Sequence, residues 1–487
     1  MKNKTFYITT TLPYVNAEPH IGFAMEIIRA DIIARWKKLL GYDVFFNTGT
    51  DEHGLKIYRK AQELNIPVQK YCDEAAQKFK DLTNMLGISP EVNFIRTTDP
   101  HHIAAAQEFW KRVDKGGFIY KKNYSVKYCV GCELEKTDSE LINGRCPLHP
   151  LQDLEIIEEE NYFFKFSVFQ QKLLDMYEKN PSFVLPDFRF NEIKAFVKRG
   201  LEDFSISRLA SKMPWGVVVP RDESQVMFVW FDALINYISS TGWPDCVADF
   251  ERRWVNADGV VQYCGKDNLR QQSAMWQAML MAAGLPNSKT IVIDGFITGE
   301  GGVKMSKSLG NTVNPLKIVT QYGKEALRYY LAREVSSFED SPFTMEKFKE
   351  AYNAGLANGI GNLVSRVMKM AQDNLEAPIK VPVSVGDATS GAIPDDFKAA
   401  IERFDIHAAS NIIWQHISEA DHIIQDRQPF KLIKTDKVAA QGIIRDLCVR
   451  LFVIAQMLGP ILPDTSGTIK ELIKTNKTPA TPLFVRK

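Results

Sequence analysis

Four residues of this chain have the types and spacing of a metal site. Cys129-Val130-Gly131-Cys132 is followed, beyond residues 133–145, by Cys146-Pro147-Leu148-His149. Two short-spaced pairs of soft donors are what a tetrahedral Cys3His zinc site needs. Unliganded cysteines or a redox dithiol would have no use for the second Cys-x-x-His pair. A second string suits anion chemistry. Gly299-Glu300-Gly301-Gly302-Val303-Lys304-Met305-Ser306-Lys307-Ser308-Leu309-Gly310-Asn311 is a glycine-rich loop with two lysines three apart. Lys304 and Lys307 could neutralise a triphosphate as its charge redistributes in a transition state. It is not a P-loop, because no glycine directly precedes the Lys-Ser pair. A third string, His20-Ile21-Gly22, falls where an extended stretch turns into a helical pattern. Backbone N–H groups at a helix start favour an anion, and an imidazole there can donate to phosphate.

The elements that carry these residues can be read from periodicity. Residues 5–11 are β-branched and aromatic and read as a buried strand; 12–19 is a turn-rich loop. A helix is expected from His20 to about 38, and a second strand over 43–49. Strand, helix, strand is the start of a parallel α/β sheet, whose ligands sit at the carboxyl ends of the strands. Residues 116–225 interrupt the pattern. Residues 225–230 are expected to restart the sheet, with further strands at 260–264 and 290–293. From about 346 the apolar spacing becomes helical, over 345–372, 395–425 and 439–457, with a loop over 377–394 and a tail from Asn476 expected to fray. The chain is thus expected to be α/β, with one sheet split by an insertion and followed by a helical bundle.

Composition narrows the function classes. The 487 residues carry 60 Lys+Arg and 59 Asp+Glu, a formal charge of +1. Bulk attraction to polyanions is excluded, so a nucleic-acid partner would need a local patch. No apolar run of spanning length occurs, and the start has no signal-peptide core. Seven cysteines, three of them crowded near the metal motif, fit a reducing compartment, so a cytoplasmic protein is expected.

Taken together, the His20 string and the lysine loop resemble the paired signatures of class I aminoacyl-tRNA synthetases. Further strings resemble the methionyl-tRNA synthetases among them: 48–54 (TGTDEHG), 159–164 (EENYFF), 200–208 (GLEDFSISR), 229–237 (VWFDALINY) and 265–267 (GKD). They stand in the family's order from residue 5 to about 460. The resemblance implies a Rossmann-type catalytic domain in two halves (1–115 and 226–298), an inserted connective domain with a zinc knuckle (116–225), a lysine-loop and stem-contact region (299–345) and a helical anticodon-binding domain (346–487). It implies that methionine is activated with ATP to methionyl-adenylate and pyrophosphate, then transferred to the 3′-terminal ribose of methionine tRNA, elongator and initiator alike. No protein nucleophile is required, so catalysis is positioning and charge stabilisation. Mg²⁺ would accompany the ATP phosphates and one Zn²⁺ would be structural. A monomer is expected.

The resemblance also assigns residues. Asp51 would hold the substrate α-ammonium. Leu12, Tyr14, Trp230, Ala233, Tyr237, Gln272 and Trp276 would form the methionine pocket, aromatic faces and a polar tip suiting a flexible thioether. His20, Gly22, Gly265 and Asp267 would contact ATP, and His20, Lys304 and Lys307 would act on the phosphates. In the helical end Asn358, Asn362 and Arg366 fall at i, i+4 and i+8 on one face, and Phe430 follows Gln428-Pro429. Together they would read the anticodon, an unstacked base lying on the Phe430 ring; the family more often has Trp there.

The chain departs from the family at three places. Phe23 replaces the second His of the first signature, Gln271-Gln272 replaces a Phe-His pair, and Asp294-Gly295 replaces a His-Gly pair. An aspartate near triphosphate is unfavourable unless paired. These changes motivate one rival, a silent RNA-binding paralogue. A second rival is another class I synthetase: the isoleucyl, valyl and leucyl enzymes carry an editing domain for which 116–225 has no room, and the cysteinyl enzyme lacks the TDEHG string. A third, a nucleotidyltransferase acting without tRNA, has no use for the helical end.

Overall fold

The computed structural model describes residues 4–16, 18–132, 134–136, 138–303, 305, 312–381 and 392–487. At its centre is a parallel six-stranded sheet. Its strands are β1 (Thr5–Thr10), β2 (Asp43–Thr50), β3 (Asn93–Arg96), β4 (Val184–Leu185), β5 (Gly259–Gly265) and β6 (Thr290–Asp294), in the spatial order β3-β2-β1-β5-β6-β4. Every residue of β1 is buried, which is why its sequence is apolar and β-branched rather than alternating. The chain builds outward from β1 on one side, then returns to place β5 on the other. The strand order therefore reverses between β1 and β5, and a crevice opens at their carboxyl ends.

Helix α1 (Ile21–Leu39) follows β1. His20 caps it, with Nδ1 accepting from the Gly22 N–H at 3.1 Å, and Lys37 and Lys38 sit in the last turn where the dipole favours cations. The expected strand–helix–strand start is thus present. The expected strand over 225–230 is not a return to the central sheet. Asp222–Met227 joins a small antiparallel sheet with Val218–Val219 and Ser207–Leu209, and Val229–Ala233 is helical. Its apolar run is explained by burial of Met227 in a second apolar core and of Phe228 and Val229 in a small cluster with Tyr128, not by membership of the parallel sheet. Conversely, Val184–Leu185, within the interrupting stretch, is the edge strand of the central sheet. The long antiparallel hairpin of Ile119–Cys129 and Glu155–Phe164 carries the Cys-rich segment at its tip.

The helical end contains Met345–Ala351, Asn362–Asn374, Asp395–Glu402, Ile406–Arg427, Lys437–Leu458 and Pro463–Thr475. Two expected helices are broken. A wide-turn stretch, Tyr352–Gly361, kinks at Gly359 (φ −85°, ψ −106°), and residues 403–405 separate the two halves of 395–425. The tail does not fray: Tyr352 donates to the Val485 carbonyl and Asn353 exchanges two hydrogen bonds with Lys487. One apolar core runs from α1 through Lys324–Arg333 into the bundle. Fully buried Arg328 pins this junction, pairing with Asp31 of α1 at 2.8 Å and donating to the Pro460 and Ile461 carbonyls. Among the described residues no helix is long and apolar enough to cross a membrane.

Candidate active site and metal centre

A cavity of about 720 Å³ occupies the crevice. Leu12, Tyr14, His20, Gly22, Asp51, Trp230, Ala233, Tyr237, Gly265, Asp267 and Gln272 all line it, although they come from five separate stretches of sequence. Trp276 does not. It is fully buried behind Tyr237 (ring centroids 5.9 Å) and stacked on Phe109 (5.8 Å), because its helix turns that face toward the core. Lys304 and Lys307 lie outside the described residues. Met305, between them, and Thr312, Val313 and Asn314, which follow the loop, form part of the cavity wall, and the Ile21 N–H donates to the Val313 carbonyl at 3.1 Å.

The Asp51 string is locked residue by residue. The loop after β1 is stitched to it by backbone bonds, Asp51 N–H to the Pro13 carbonyl at 3.0 Å and Val15 N–H to the Asp51 carbonyl at 3.1 Å. Glu52 turns the other way, into a buried fork with Arg96 at 2.7 and 2.8 Å. His53 Nδ1 lies 2.6 Å from Asp232, and His102 Nε2 lies 2.9 Å from the other oxygen of the same carboxylate. Burial pushes the Asp232 carboxyl upward, but the two imidazoles hold it down at about 2. Asp232 sits between Trp230 and Ala233, so this buried cluster ties the wall bearing those residues to the wall bearing Asp51. Sequence reasoning did not single out His53, His102 or Asp232 as a unit. The only signal was the presence of His53 and Asp232 inside family-like strings, with none for His102, since pairing across 130 to 179 residues has no local signature.

The three departures each have a physical partner. Phe23 is buried and packs edge-on against Phe79 at 5.1 Å. Gln272 donates to the Tyr237 hydroxyl oxygen at 2.6 Å; Gln271 is buried and points elsewhere, absent from the cavity wall. Asp294 is paired with fully buried Arg29 at 3.1 Å, and Arg29 also donates to the carbonyls of Leu331, Val335, Ser336 and Ser337. Burial pushes the Asp294 carboxyl up to about 6, with Arg29 opposing. The unfavourable aspartate is therefore neutralised from beneath. Gly295 beside it is required by close approach, since a Cβ there would stand 2.3 Å from the Glu339 carbonyl carbon. Glu26, also on the cavity wall, accepts from the Thr11 N–H and hydroxyl at 2.7 and 2.5 Å. Its burial pushes its carboxyl up to about 8, Thr11 opposing and Asp294 and Asp267 adding to the rise.

Cys129, Cys132, Cys146 and His149 converge, their ligand atoms all within 4.8 Å of one another. Cys132 Sγ is 3.5 Å from Cys146 Sγ and 3.2 Å from His149 Nδ1. Bonds of about 2.3 Å to sulfur and 2.0 Å to nitrogen in a tetrahedron would separate such donors by roughly 3.5–3.8 Å. The residues therefore fit a zinc ion bound through Nδ1. Gly131 lets the His149 ring in, because a Cβ at that position would lie 2.4 Å from His149 Cγ. Gly131 and Cys132 also touch the cavity, and Lys56 donates to the Gly131 carbonyl at 2.5 Å. In the helical end Asn358 and Asn362 are exposed, Phe430 is 46% exposed, and Arg366 is paired with Asp421 at 2.6 Å. The kink at Gly359 separates Asn358 from the regular helix that carries Asn362 and Arg366, so the three do not share one unbroken face.

Purified protein should contain about one equivalent of zinc by elemental analysis. Cys146→Ser should lower that below half and reduce the thermal midpoint; full zinc content in the variant would refute this assignment.

A family model described as class I tRNA synthetases (M) matches residues 6–155 and 140–368. The methionine–tRNA ligase of Thermotoga maritima is 38% identical over 488 residues, 98% of this chain and 76% of that protein. That of Thermosynechococcus vestitus is 40% identical over 478 residues, 95% of this chain and 89% of that protein. Mycobacterium tuberculosis methionyl-tRNA synthetase in complex with methionyl-adenylate superposes with a TM-score of 0.88 at 36% identity, covering 96% of this chain and 94% of that one. With this sheet, this crevice and these likenesses, the chain belongs to the class I aminoacyl-tRNA synthetases, in the methionine–tRNA ligase family.

Proposed function

We propose that methionine and ATP meet in the crevice between β1 and β5, and that the residues lining it divide the work of a methionine–tRNA ligase as follows. Asp51 holds the substrate ammonium, an anion presented by a loop that backbone bonds clamp in place. Leu12, Tyr14, Trp230, Ala233 and Tyr237 enclose the side chain. Gly265 and Asp267 receive the nucleoside. Gly22 at the start of α1 leaves the helix N-terminus open to phosphate, while His20 turns Nδ1 to the Gly22 N–H, which leaves Nε2 as its donor. The methionine carboxylate oxygen attacks the α-phosphorus, the bond to the β-phosphate oxygen breaks, and pyrophosphate leaves as the acyl-adenylate forms. A terminal ribose hydroxyl of the tRNA then takes the acyl group and AMP departs. ATP arrives as its Mg²⁺ complex, the ion travelling with the substrate phosphates, and Lys304 and Lys307 add positive charge as the phosphates separate. Zinc, when bound by Cys129, Cys132, Cys146 and His149, stiffens the knuckle that touches the crevice. Asn358, Asn362, Arg366 and Phe430 read the anticodons of elongator and initiator methionine tRNA. The chain acts as a monomer in the cytoplasm.

One observation carries this reading: eleven of the residues assigned to amino acid and nucleotide line a single cavity at the strand-order reversal. The pairing of Asp294 with Arg29 speaks against a silent paralogue. Methionine-dependent exchange of pyrophosphate into ATP is the test. Exchange with methionine, and none with isoleucine, valine or cysteine, is expected; its absence would refute the assignment.

Two further outcomes follow from the geometry. Glu26 keeps its proton below about 8 and is neutral there; above it, the carboxylate adds negative charge to a crevice that must take a triphosphate. The KM for ATP should therefore rise severalfold between pH 7.5 and pH 9 (by linkage), and Glu26→Gln should flatten that rise. Phe430→Ala should raise the KM for tRNA about tenfold or more, since base–aromatic stacking contributes about 1–3 kcal/mol, while exchange stays within about twofold of the unaltered protein.

A further inference from the structure

A chain of buried amides and hydroxyls runs from the far side of β5 to the Tyr237 ring, and its polarity can be deduced from two backbone groups. The Ser288 N–H, which can only donate, points at Gln277 Oε1 at 3.1 Å. The Gln272 carbonyl, which can only accept, faces Gln277 Nε2 at 2.9 Å. The Gln277 amide is therefore fixed in orientation, and the same nitrogen donates to Ser288 Oγ at 3.1 Å. Having accepted there, Ser288 spends its own proton on Gln262 Oε1, its close neighbour. That turns Gln262 Nε2 toward Gln272 Oε1, at 2.5 Å, and so turns Gln272 Nε2 toward the Tyr237 oxygen, at 2.6 Å. The opposite polarity would leave the buried Ser288 proton without an acceptor, a cost that a low-dielectric interior makes severe. Gln262, Gln272, Gln277, Ser288 and Tyr237 are all buried.

The consequence falls on Tyr237. Its oxygen is already an acceptor from Gln272, so its proton cannot go back along the chain. Burial holds the phenol well above its ordinary range, so the proton stays on. Among the described residues the hydroxyl has no second hydrogen-bond partner, and Tyr237 lines the cavity. We propose that Gln262, Ser288 and Gln277 are positioning residues which, through Gln272, commit the Tyr237 O–H as a donor into the amino-acid pocket, so that the pocket selects a side chain with an acceptor atom, the thioether sulfur, over its all-carbon isostere. This rests on the reading of the cavity given above. None of the three touches substrate: Gln262, Ser288 and Gln277 are absent from the cavity wall.

The test compares methionine with norleucine, in which a methylene replaces sulfur, by kcat/KM in pyrophosphate exchange. Gln262→Glu keeps the shape but offers two acceptors; it forces the Gln272 amide to turn its nitrogen away from Tyr237, whose proton then follows the Gln272 oxygen out of the pocket. Ser288→Ala removes the hydroxyl that sets the polarity, without adding charge. Both should lower the methionine-to-norleucine preference about fivefold, the scale of one neutral hydrogen bond, through the KM for methionine, with the KM for ATP within about twofold. Ser288→Thr, which keeps the hydroxyl, should retain the preference. Should Gln262→Glu fail to fold, Ser288→Ala alone decides. An unchanged preference in a folded variant, or an equal loss for both amino acids, would overturn the relay. A lack of any methionine-dependent exchange by the unaltered chain would instead overturn the underlying reading of the site.

Discussion

Charge buried beneath a ligand crevice is tolerated only when each group finds a partner in the protein itself, and this molecule is organised around that constraint. Asp31 is held by Arg35 and Arg328, Glu52 by Arg96, Asp232 by two histidines and Asp294 by Arg29. Apart from Asp31–Arg35, one turn apart within α1, each pair joins elements remote in sequence, so charge neutralisation and tertiary assembly are the same event. Removing one member leaves a desolvated charge, which costs far more than the pair itself contributes.

The same constraint divides neighbouring residues between structure and ligand. In Thr50-Asp51-Glu52-His53, neighbouring residues face different surroundings: Glu52 and His53 are committed to protein partners, while Asp51 lines the cavity. A loop stitched at both ends and anchored by its neighbours loses little freedom when a ligand arrives, which is how positioning without a protein nucleophile is made rigid enough to matter. The metal knuckle extends this logic, because Cys132 belongs at once to the ligand cluster and to the cavity wall, with Gly131 beside it on that wall.

The departures from the family's signatures illustrate compensation. Phe23 gives up a polar role and takes an aromatic partner in the core. Asp294 would repel phosphate, yet Arg29 lies directly below it. Gln272 cannot carry charge, but an amide has a direction, and direction can be transmitted where protonation cannot.

From the sequence alone came the α/β sheet, the first strand, helix and strand, the helical end, the four metal donors and eleven residues of the cavity wall. These are legible because periodicity, ligand spacing and local strings are properties of contiguous residues. Only the tertiary structure decided that Trp276 lies behind the pocket, that 225–230 leaves the parallel sheet while Val184–Leu185 joins it, that a kink at Gly359 divides the Asn358–Arg366 face, and that the tail docks on Tyr352. It alone decided which buried charges meet, across as many as 297 residues for Asp31 and Arg328. The reason is physical: such pairings depend on which surfaces the packed elements turn toward one another, and a polar residue's partner leaves no mark on the residues beside it in the chain.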